Sequence, residues 1–468
     1  RRSPEPSTAT STSKVPASTA GAATVSVPIT WVAPGSITPL TVSVPLVTSP
    51  PPLSPDKVCA LPFRSSTAPA DTVRRFKAKL SGLKRSRRFV RWGESAARAG
   101  ELQALLQDIQ RSVTDPETGG DLVRAFYETD KGVVGNCDDS DGYVGDVYRC
   151  DARDLFLVYS QRFTDKDRLA KLVLKLVRED DYGVRDTLIN CATEYLPEPA
   201  IRFMVDDLQK AADSERTDFQ KRHRLILIES LAYQLKDAPL FEKTRIASWG
   251  KLSTAANTDI ARAYLVSGDA RTALSWLERI PGDDHFGADK RDMLLLDIYG
   301  QLGETEKRAA VAWRVFRRYR SLESLEELLT VIGAAQREAA ITNEVASIIE
   351  EKTLSLSDAG FLIELGRTDD AADYLLKRRE QLNGDYYGHL VPLAKSMEEA
   401  GCSLAATAVY RALLDSILRR GQTGSYRYGI RYLKKLDKLT NLIKDWRGMD
   451  DHESYVDRLR QIHGRKSS

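Results

Sequence analysis

AYLVSGDARTALSWLERIP, residues 263–281, carries one amphipathic helix to its end at Gly268-Asp269 and opens a second with small residues before turning aromatic. Glycine closes a helix because it enters the left-handed conformation without steric cost, and an early alanine lets the next helix pack closely. The unit recurs. Turn signals fall at Lys236-Asp237, Gly268, Gly303, Gly333, Gly366 and Gly401, separated by 32, 35, 30, 33 and 35 residues. A large residue stands four places before the turn (Tyr264, Tyr299, Leu362, Met397), and an alanine follows five or six places after it (Ala273, Ala309, Ala371, Ala406).

This spacing, close to ~34 residues, and these helix-turn-helix positions resemble the tetratricopeptide repeat in a degenerate form. The spacing wanders, the terminal proline occurs once, at Pro281, and the surroundings of Gly333 match less well. The resemblance implies an all-α protein, a tetratricopeptide-like α-solenoid in which antiparallel helix pairs stack into a right-handed superhelix. No single pair can bury its apolar face alone, so neighbours share a core and the stack offers a curved surface to a partner.

The 468 residues are 42% hydrophobic and 29% charged, a balance that suits a globular helical protein. A net charge of +3 conceals a division. Residues 72–92 hold nine Lys or Arg and no acid, residues 419–468 hold thirteen bases against six acids, and the stretch between is net negative by about 15. The bases can therefore fold back on an acidic body or serve an outside anion.

The five cysteines, Cys59, Cys137, Cys150, Cys191 and Cys402, form no CxxC pair, which points to a reducing compartment without structural zinc. No apolar run reaches the ~18 residues of a membrane span, and no signal-peptide order opens the chain. These features predict a cytoplasmic protein. The first residue is Arg1, which points to a fragment or a processed form.

Four regions follow. Residues 1–70, rich in Ser, Thr, Pro and Val, predict a disordered segment; residues 71–224 form an N-terminal helical region, residues 225–420 the repeats, and residues 421–468 a C-terminal helical cap with a basic tail. Asp71 caps the first helix, with Val73, Phe76, Leu80 and Leu83 on its apolar face. KRSRRFVRWG, residues 84–93, then sets Phe89 and Trp92 among bases. Phosphate attraction and base stacking call for those two residue types, so the clusters 74–92 and 458–466 are nucleic-acid candidates. Arg87, Arg88, Arg91, Arg460, Arg465 and Lys466 are the anion contacts they offer. The plainer alternative is the solvated face of a capping helix. His463 equally suits the C-terminal dipole of its helix.

Leu102, Leu105, Leu106, Ile109 and Val113 stripe the next helix, which Asp115-Pro116 and Gly119-Gly120 are read as ending; a short helix spans Leu122 to Glu128. The loop at residues 136–151, GNCDDSDGYVGDVYRCD with its flanking glycine, gathers acids around Gly142. Asp139, Asp141 and Asp146 are weak metal candidates, since a calcium loop counted from Gly142 would put Cys137 first and Tyr148 last. Turn and cap chemistry is the stronger reading. EYLPEP, residues 194–199, stops one helix and starts another. Trp276, Trp313, Phe316 and Tyr319 read as packing between repeats, and Arg314, Arg317, Arg318 and Arg320 as a solvated basic face. In the cap, Tyr432, Leu436, Leu439, Ile443 and Trp446 follow a four-three seam, and after Gly448 a restarted helix turns Tyr455, Val456, Leu459 and Ile462 inward.

SYRYGIRYLKKLDKL, DDHESYVDRLRQIHGRKSS and DDSDGYVGDVYRC are similar to an uncharacterised bacterial helical family of unknown function, some members of which are described as SWIM zinc-finger proteins. The resemblance covers residues 71–468 and implies an all-helical repeat domain with no catalytic residues to carry over. It also implies an aromatic tail beyond the final Lys-Ser-Ser. The CxC and CxH pairs of the SWIM pattern are absent from this chain.

There is no Walker loop, HExxH, nucleophile elbow or dinucleotide fingerprint. Gly250-Lys251 lacks the upstream glycine, and the PGDDHFGADKRD stretch around His285 is the residual candidate for metal or acid-base chemistry. The sequence therefore predicts a non-enzymatic interaction scaffold with an unknown protein partner and no cofactor. The alternatives are a nucleic-acid-associated protein and an enzyme or metal site assembled only in three dimensions. Convergence of His285 with the Asp138–Asp146 loop would mark the last.

Overall fold

The computed structural model describes residues 70–421 and 423–464, so the expectation of disorder over residues 1–70 falls almost wholly outside the described residues. Within them every regular element is helical apart from one isolated bridge between Val90 and Cys137. The described residues open with α1 (Ala70–Lys84), α2 (Ser95–Ser112), α3 (Pro116–Tyr127) and a single turn, α4 (Asp130–Val133). One continuous helical run follows: α5 (Tyr143–Asp146), a π-helical stretch at Val147–Ala152, and α6 (Arg153–Ser160). Next come α7 (Lys166–Arg178) and α8 (Glu198–Ser214), whose first turn carries Pro199, as EYLPEP predicts.

Six hairpins fill the next two hundred residues or so. They are α9 (Asp218–Gln234) with α10 (Ala238–Trp249), α11 (Thr254–Ser267) with α12 (Ala270–Leu277), and α13 (Ala288–Leu302) with α14 (Thr305–Arg318). Then come α15 (Leu322–Ile332) with α16 (Arg337–Glu350), α17 (Leu356–Glu364) with α18 (Thr368–Lys377), and α19 (Tyr387–Glu399) with α20 (Ser403–Arg420). The last two helices are α21 (Tyr426–Thr440) and α22 (His452–His463).

Five of the six hairpin turns are built alike. Lys236, Gly268, Gly303, Gly366 and Gly401 take φ of 55°, 92°, 72°, 74° and 77°. The next amide donates back across the turn: Asp237 to the Ala232 carbonyl (2.9 Å), Asp269 to Tyr264 (2.9 Å), Glu304 to Tyr299 (3.0 Å), Arg367 to Leu362 (2.8 Å) and Cys402 to Met397 (2.9 Å). This is the Schellman closure. The large residue four places before each glycine is therefore the residue whose carbonyl closes the turn. Gly333 departs from the set, with φ 98° and ψ 138° and a 3-10 turn at Ala334–Gln336 leading into α16. Ala273, Ala371 and Ala406 are fully buried, whereas Ala309 is half-buried and Ala312 takes the core position in α14.

Neighbours in sequence are neighbours in space: α8 packs on α9, α9 on α10, and so on through α15, with further contacts such as α11 to α13 and α18 to α20. Buried apolar side chains gather into three clusters that succeed one another along the chain, from Phe76 to Leu231, from Ala232 to Ile298 and from Ala312 to Tyr455.

Two sequence expectations are corrected at the ends. Asp115 does not end a helix but starts one, accepting from the Thr118 amide at 2.8 Å with Pro116 in the first turn of α3. Gly119 and Gly120 lie inside α3, where the rings of Tyr159 and Phe163 press on the space a Cβ would take. Near the C-terminus, α21 ends at Thr440, so Ile443 and Trp446 lie beyond the helix; Tyr455 is buried, but Ile462 is 62% exposed.

Candidate functional site

After α1, whose Phe76 and Leu80 are buried, the chain leaves the helix as RSRRFVRW, residues 85–92. Its backbone is fastened to the acidic loop: the Val90 amide donates to the Asn136 carbonyl at 2.8 Å, and the Asp138 amide to the Val90 carbonyl at 2.9 Å. The Asn136 side-chain amide adds bonds to the carbonyls of Ser86 (3.3 Å) and Gly132 (3.2 Å). Gly132 is required here, because a Cβ would meet the Leu83 carbonyl. The backbone thus folds onto the acidic loop while the side chains do not. Arg87, Arg88 and Arg91 are exposed, as are Phe89 (60%) and Trp92 (58%). Arg88 lies 3.6 Å from Glu94, which also accepts from the Arg91 amide at 3.4 Å, and the side chains of Arg87 and Arg91 meet no carboxylate among the described residues.

The second predicted anion cluster fares differently. Arg460 pairs with Asp457 at 2.9 Å and Arg458 with Asp450 at 3.5 Å; Arg465 and Lys466 lie outside the described residues. His463 closes α22.

In the acidic loop Asp139 turns both oxygens inward, accepting from the amides of Val144 (2.8 Å) and Gly145 (2.7 Å), while Gly142 takes φ 78° to start α5. Asp138 accepts from the Ser140 hydroxyl at 2.6 Å, Asp146 pairs with Arg149 at 3.1 Å, and Asp141 is exposed. No group of three or more His, Cys, Asp or Glu poised to hold a metal occurs among the described residues. His285 is exposed in the connection between α12 and α13, where the neighbouring Asp284 accepts from the Thr254 hydroxyl. Its flanking helices pack on α11 and α14, whereas α5 packs on α2, so His285 and the acidic loop belong to different neighbourhoods.

The thiols are quiet. Cys137, Cys150, Cys191 and Cys402 are free, and desolvation is the leading cause that raises each, Cys191 to about 12. A thiol held protonated is a poor nucleophile and metal ligand.

Arg314, Arg317, Arg318 and Arg320 are not a simple solvated face. Arg314 reaches Asp292 at 2.6 Å, Arg318 reaches the same carboxylate at 2.7 Å, and Arg317 and Arg320 share Glu344 at 2.5 and 2.9 Å. Arg320 extends to Asp358 at 2.9 Å. Asp292 and Glu344 are each only 1% exposed, so the arginines are the outer half of ion pairs that tie α13, α14, α16 and α17 together. The Asp292 carboxyl is held below the usual range by its two arginines, against the desolvation that opposes them. Trp276 and Phe316 are buried as expected and Trp313 meets Phe316 edge-on, but Tyr319 is 64% exposed.

Several structural centres carry no local signature. Arg411 of α20 is buried between the rings of Trp446 (5.0 Å) and Tyr455 (4.3 Å) and donates to the carbonyls of Asp450 (2.7 Å) and Asp451 (3.2 Å). Asp451 caps α22 through the Ser454 amide at 2.8 Å, and the Tyr455 hydroxyl donates to Asp415 at 2.7 Å. In the loop motif, Tyr148 is buried with its hydroxyl 2.7 Å from that of Thr129. Tyr148, Asp451 and Tyr455, from two of the stretches that carry the family resemblance, are thus structural fasteners.

These features define an all-helical protein in which residues 85–92 expose two aromatic rings beside Arg87 and Arg91, whose side chains meet no carboxylate among the described residues. The chain belongs to a family of unknown function, DUF6880, whose profile matches residues 57–248 and 248–468. No curated protein matches it.

Proposed function

We propose that the chain is a protein-interaction scaffold of the bacterial cytoplasm, built as a right-handed, tetratricopeptide-like stack of helix pairs. The observation that carries this reading is the repetition of one turn geometry at Lys236, Gly268, Gly303, Gly366 and Gly401. A regular turn sets a regular hairpin, and hairpins that bury their apolar faces on neighbours generate an extended surface for binding. The succession of three core clusters supports the same reading. No helix among the described residues is long and apolar enough to cross a membrane.

Exposed apolar side chains within the paired region, Phe286, Met293 and Tyr319, are candidate contacts. Affinity capture with the full chain followed by reconstitution from purified components tests the proposal. A stoichiometric partner with a Kd of ~1 μM or tighter is expected, and Asp substitutions at those three positions should weaken it at least about tenfold. Absence of a stoichiometric partner, or binding indifferent to all three substitutions, would overturn it.

A further inference from the structure

We propose that residues 85–92 form a binding site for single-stranded nucleic acid. The inference is independent of the scaffold reading and rests on a contrast between two arginine clusters. The arginines of WRVFRRYR, residues 313–320, reach carboxylates and stabilise helix packing. In RSRRFVRW the backbone is fixed while the side chains of Arg87 and Arg91 meet no carboxylate among the described residues; Arg85 donates to the Ser81 carbonyl at 3.1 Å and Arg88 lies 3.6 Å from Glu94.

Around the bridge at Val90 the chain is extended, and successive side chains of an extended chain point to opposite faces. Phe89 and Arg91, on either side of Val90, therefore share one face, and the exposed Arg87 lies two residues before the ring. Trp92 opens the 3-10 turn that follows, Trp92–Glu94. An exposed ring is a platform on which any base can stack, and flanking guanidinium groups match the phosphates of the strand that carries it. Two acids of the bridged loop are engaged within it, Asp139 on two amides and Asp138 on Ser140, and Glu94 is shared between Arg88 and the Arg91 amide. Among the described residues neither Phe89 nor Trp92 forms an aromatic pair or a cation–π contact, so a nucleobase would displace no such contact there. An acidic protein segment would satisfy the charges but leave both rings without a reason, which favours nucleic acid.

The test uses the full chain and a fluorescein-labelled 20-mer of oligodeoxythymidylate, with oligouridylate as a second arm and a poly-glutamate peptide as competitor. Binding at ~50 mM salt is expected, with log K falling against log salt at a slope near −2 for about three phosphate contacts. Arg87→Glu or Arg91→Glu should reduce that slope by about 0.7, and Phe89→Ala or Trp92→Ala should weaken binding about tenfold with the slope kept. Unchanged melting temperatures for these exposed positions separate lost contact from lost fold. Tighter binding of one arm assigns DNA or RNA within the proposal. Absence of binding at ~50 mM salt, indifference to loss of both rings, or displacement by poly-glutamate at equal concentration would overturn it.

Discussion

Asp130 and Arg185, 55 residues apart, form a bidentate ion pair sealed from solvent: Arg185 Nη2 lies 2.7 Å and Nε 2.9 Å from the two carboxylate oxygens, at 0% and 2% exposure. The third guanidinium nitrogen donates to the Leu176 carbonyl at 2.9 Å, and the Lys131 amide donates to Asp130 at 2.7 Å. Each of the three guanidinium nitrogens and both carboxylate oxygens has a partner, the condition under which a buried pair comes closest to offsetting its desolvation. The pair joins the start of α4 to the chain after α7 at the base of the first core.

Removing one partner leaves the other charged and dry. Asp130→Ala is expected to cost about 3–5 kcal/mol, whereas Asp130→Leu with Arg185→Met should recover most of that loss. Urea unfolding of the three proteins checks this, and a double variant no better than the single one would refute it.

Two glycines predict opposite signs. Gly100 lies inside α2 with nothing near the position of a Cβ, so Gly100→Ala should stabilise by about 0.5–1 kcal/mol through helix propensity and chain entropy. Gly119 lies inside α3 against the Tyr159 ring, whose hydroxyl is held by the Val113 carbonyl at 2.9 Å. The ring cannot retreat freely, and Gly119→Ala should destabilise by about 1–3 kcal/mol. Paired thermal and urea melts measure both.

Lys236 does with φ 55° what glycine does in the four equivalent turns. A residue with a Cβ bears a steric cost in the left-handed region of about 1–2 kcal/mol. Lys236→Gly is therefore expected to stabilise by about 1 kcal/mol, and Gly268→Ala to destabilise by a similar amount. A melting temperature lowered by Lys236→Gly would contradict the shared turn geometry.

His223 is half-buried with Nε2 2.7 Å from Asp186. The hydrogen bond to that carboxylate raises the imidazole above its ordinary 6.5, with burial opposing. A pKa raised by folding contributes stability that is complete below the unfolded value and is lost as pH rises through the folded one. The stability difference between the natural chain and His223→Gln should therefore be larger at about pH 5.5 than at about pH 8.5. Chemical denaturation at the two pH values reads it; a difference that grows with pH would reverse the assignment.

Local signals were read well where a single residue type had a single physical use. Glycine before a small-residue helix start meant a left-handed cap at Gly268, Gly303, Gly366 and Gly401, and the alternation of Leu102, Leu105, Leu106 and Ile109 gave the buried face of α2. Reading failed where a residue has two uses. Gly119 and Gly120 could mark a turn or admit a neighbouring ring, and Asp115-Pro116 could end one helix or start the next. The basic-aromatic segment was legible as residue types, but its extended, fastened backbone was not, because the bridge partner Cys137 lies 47 residues away.

The sequence by itself determined the helical class, the positions of most turns and the segregation of charge, since these follow from backbone preference and periodicity within a few residues. Tertiary structure alone decided which charges are free. Arg314 and Arg317 find Asp292 and Glu344 at separations of 22 and 27 residues, and Arg185 finds Asp130 at 55, while the side chains of Arg87 and Arg91 find no acid among the described residues. An arginine next to arginines in sequence can be neutralised or left open only by the packing of helices that local chemistry does not specify.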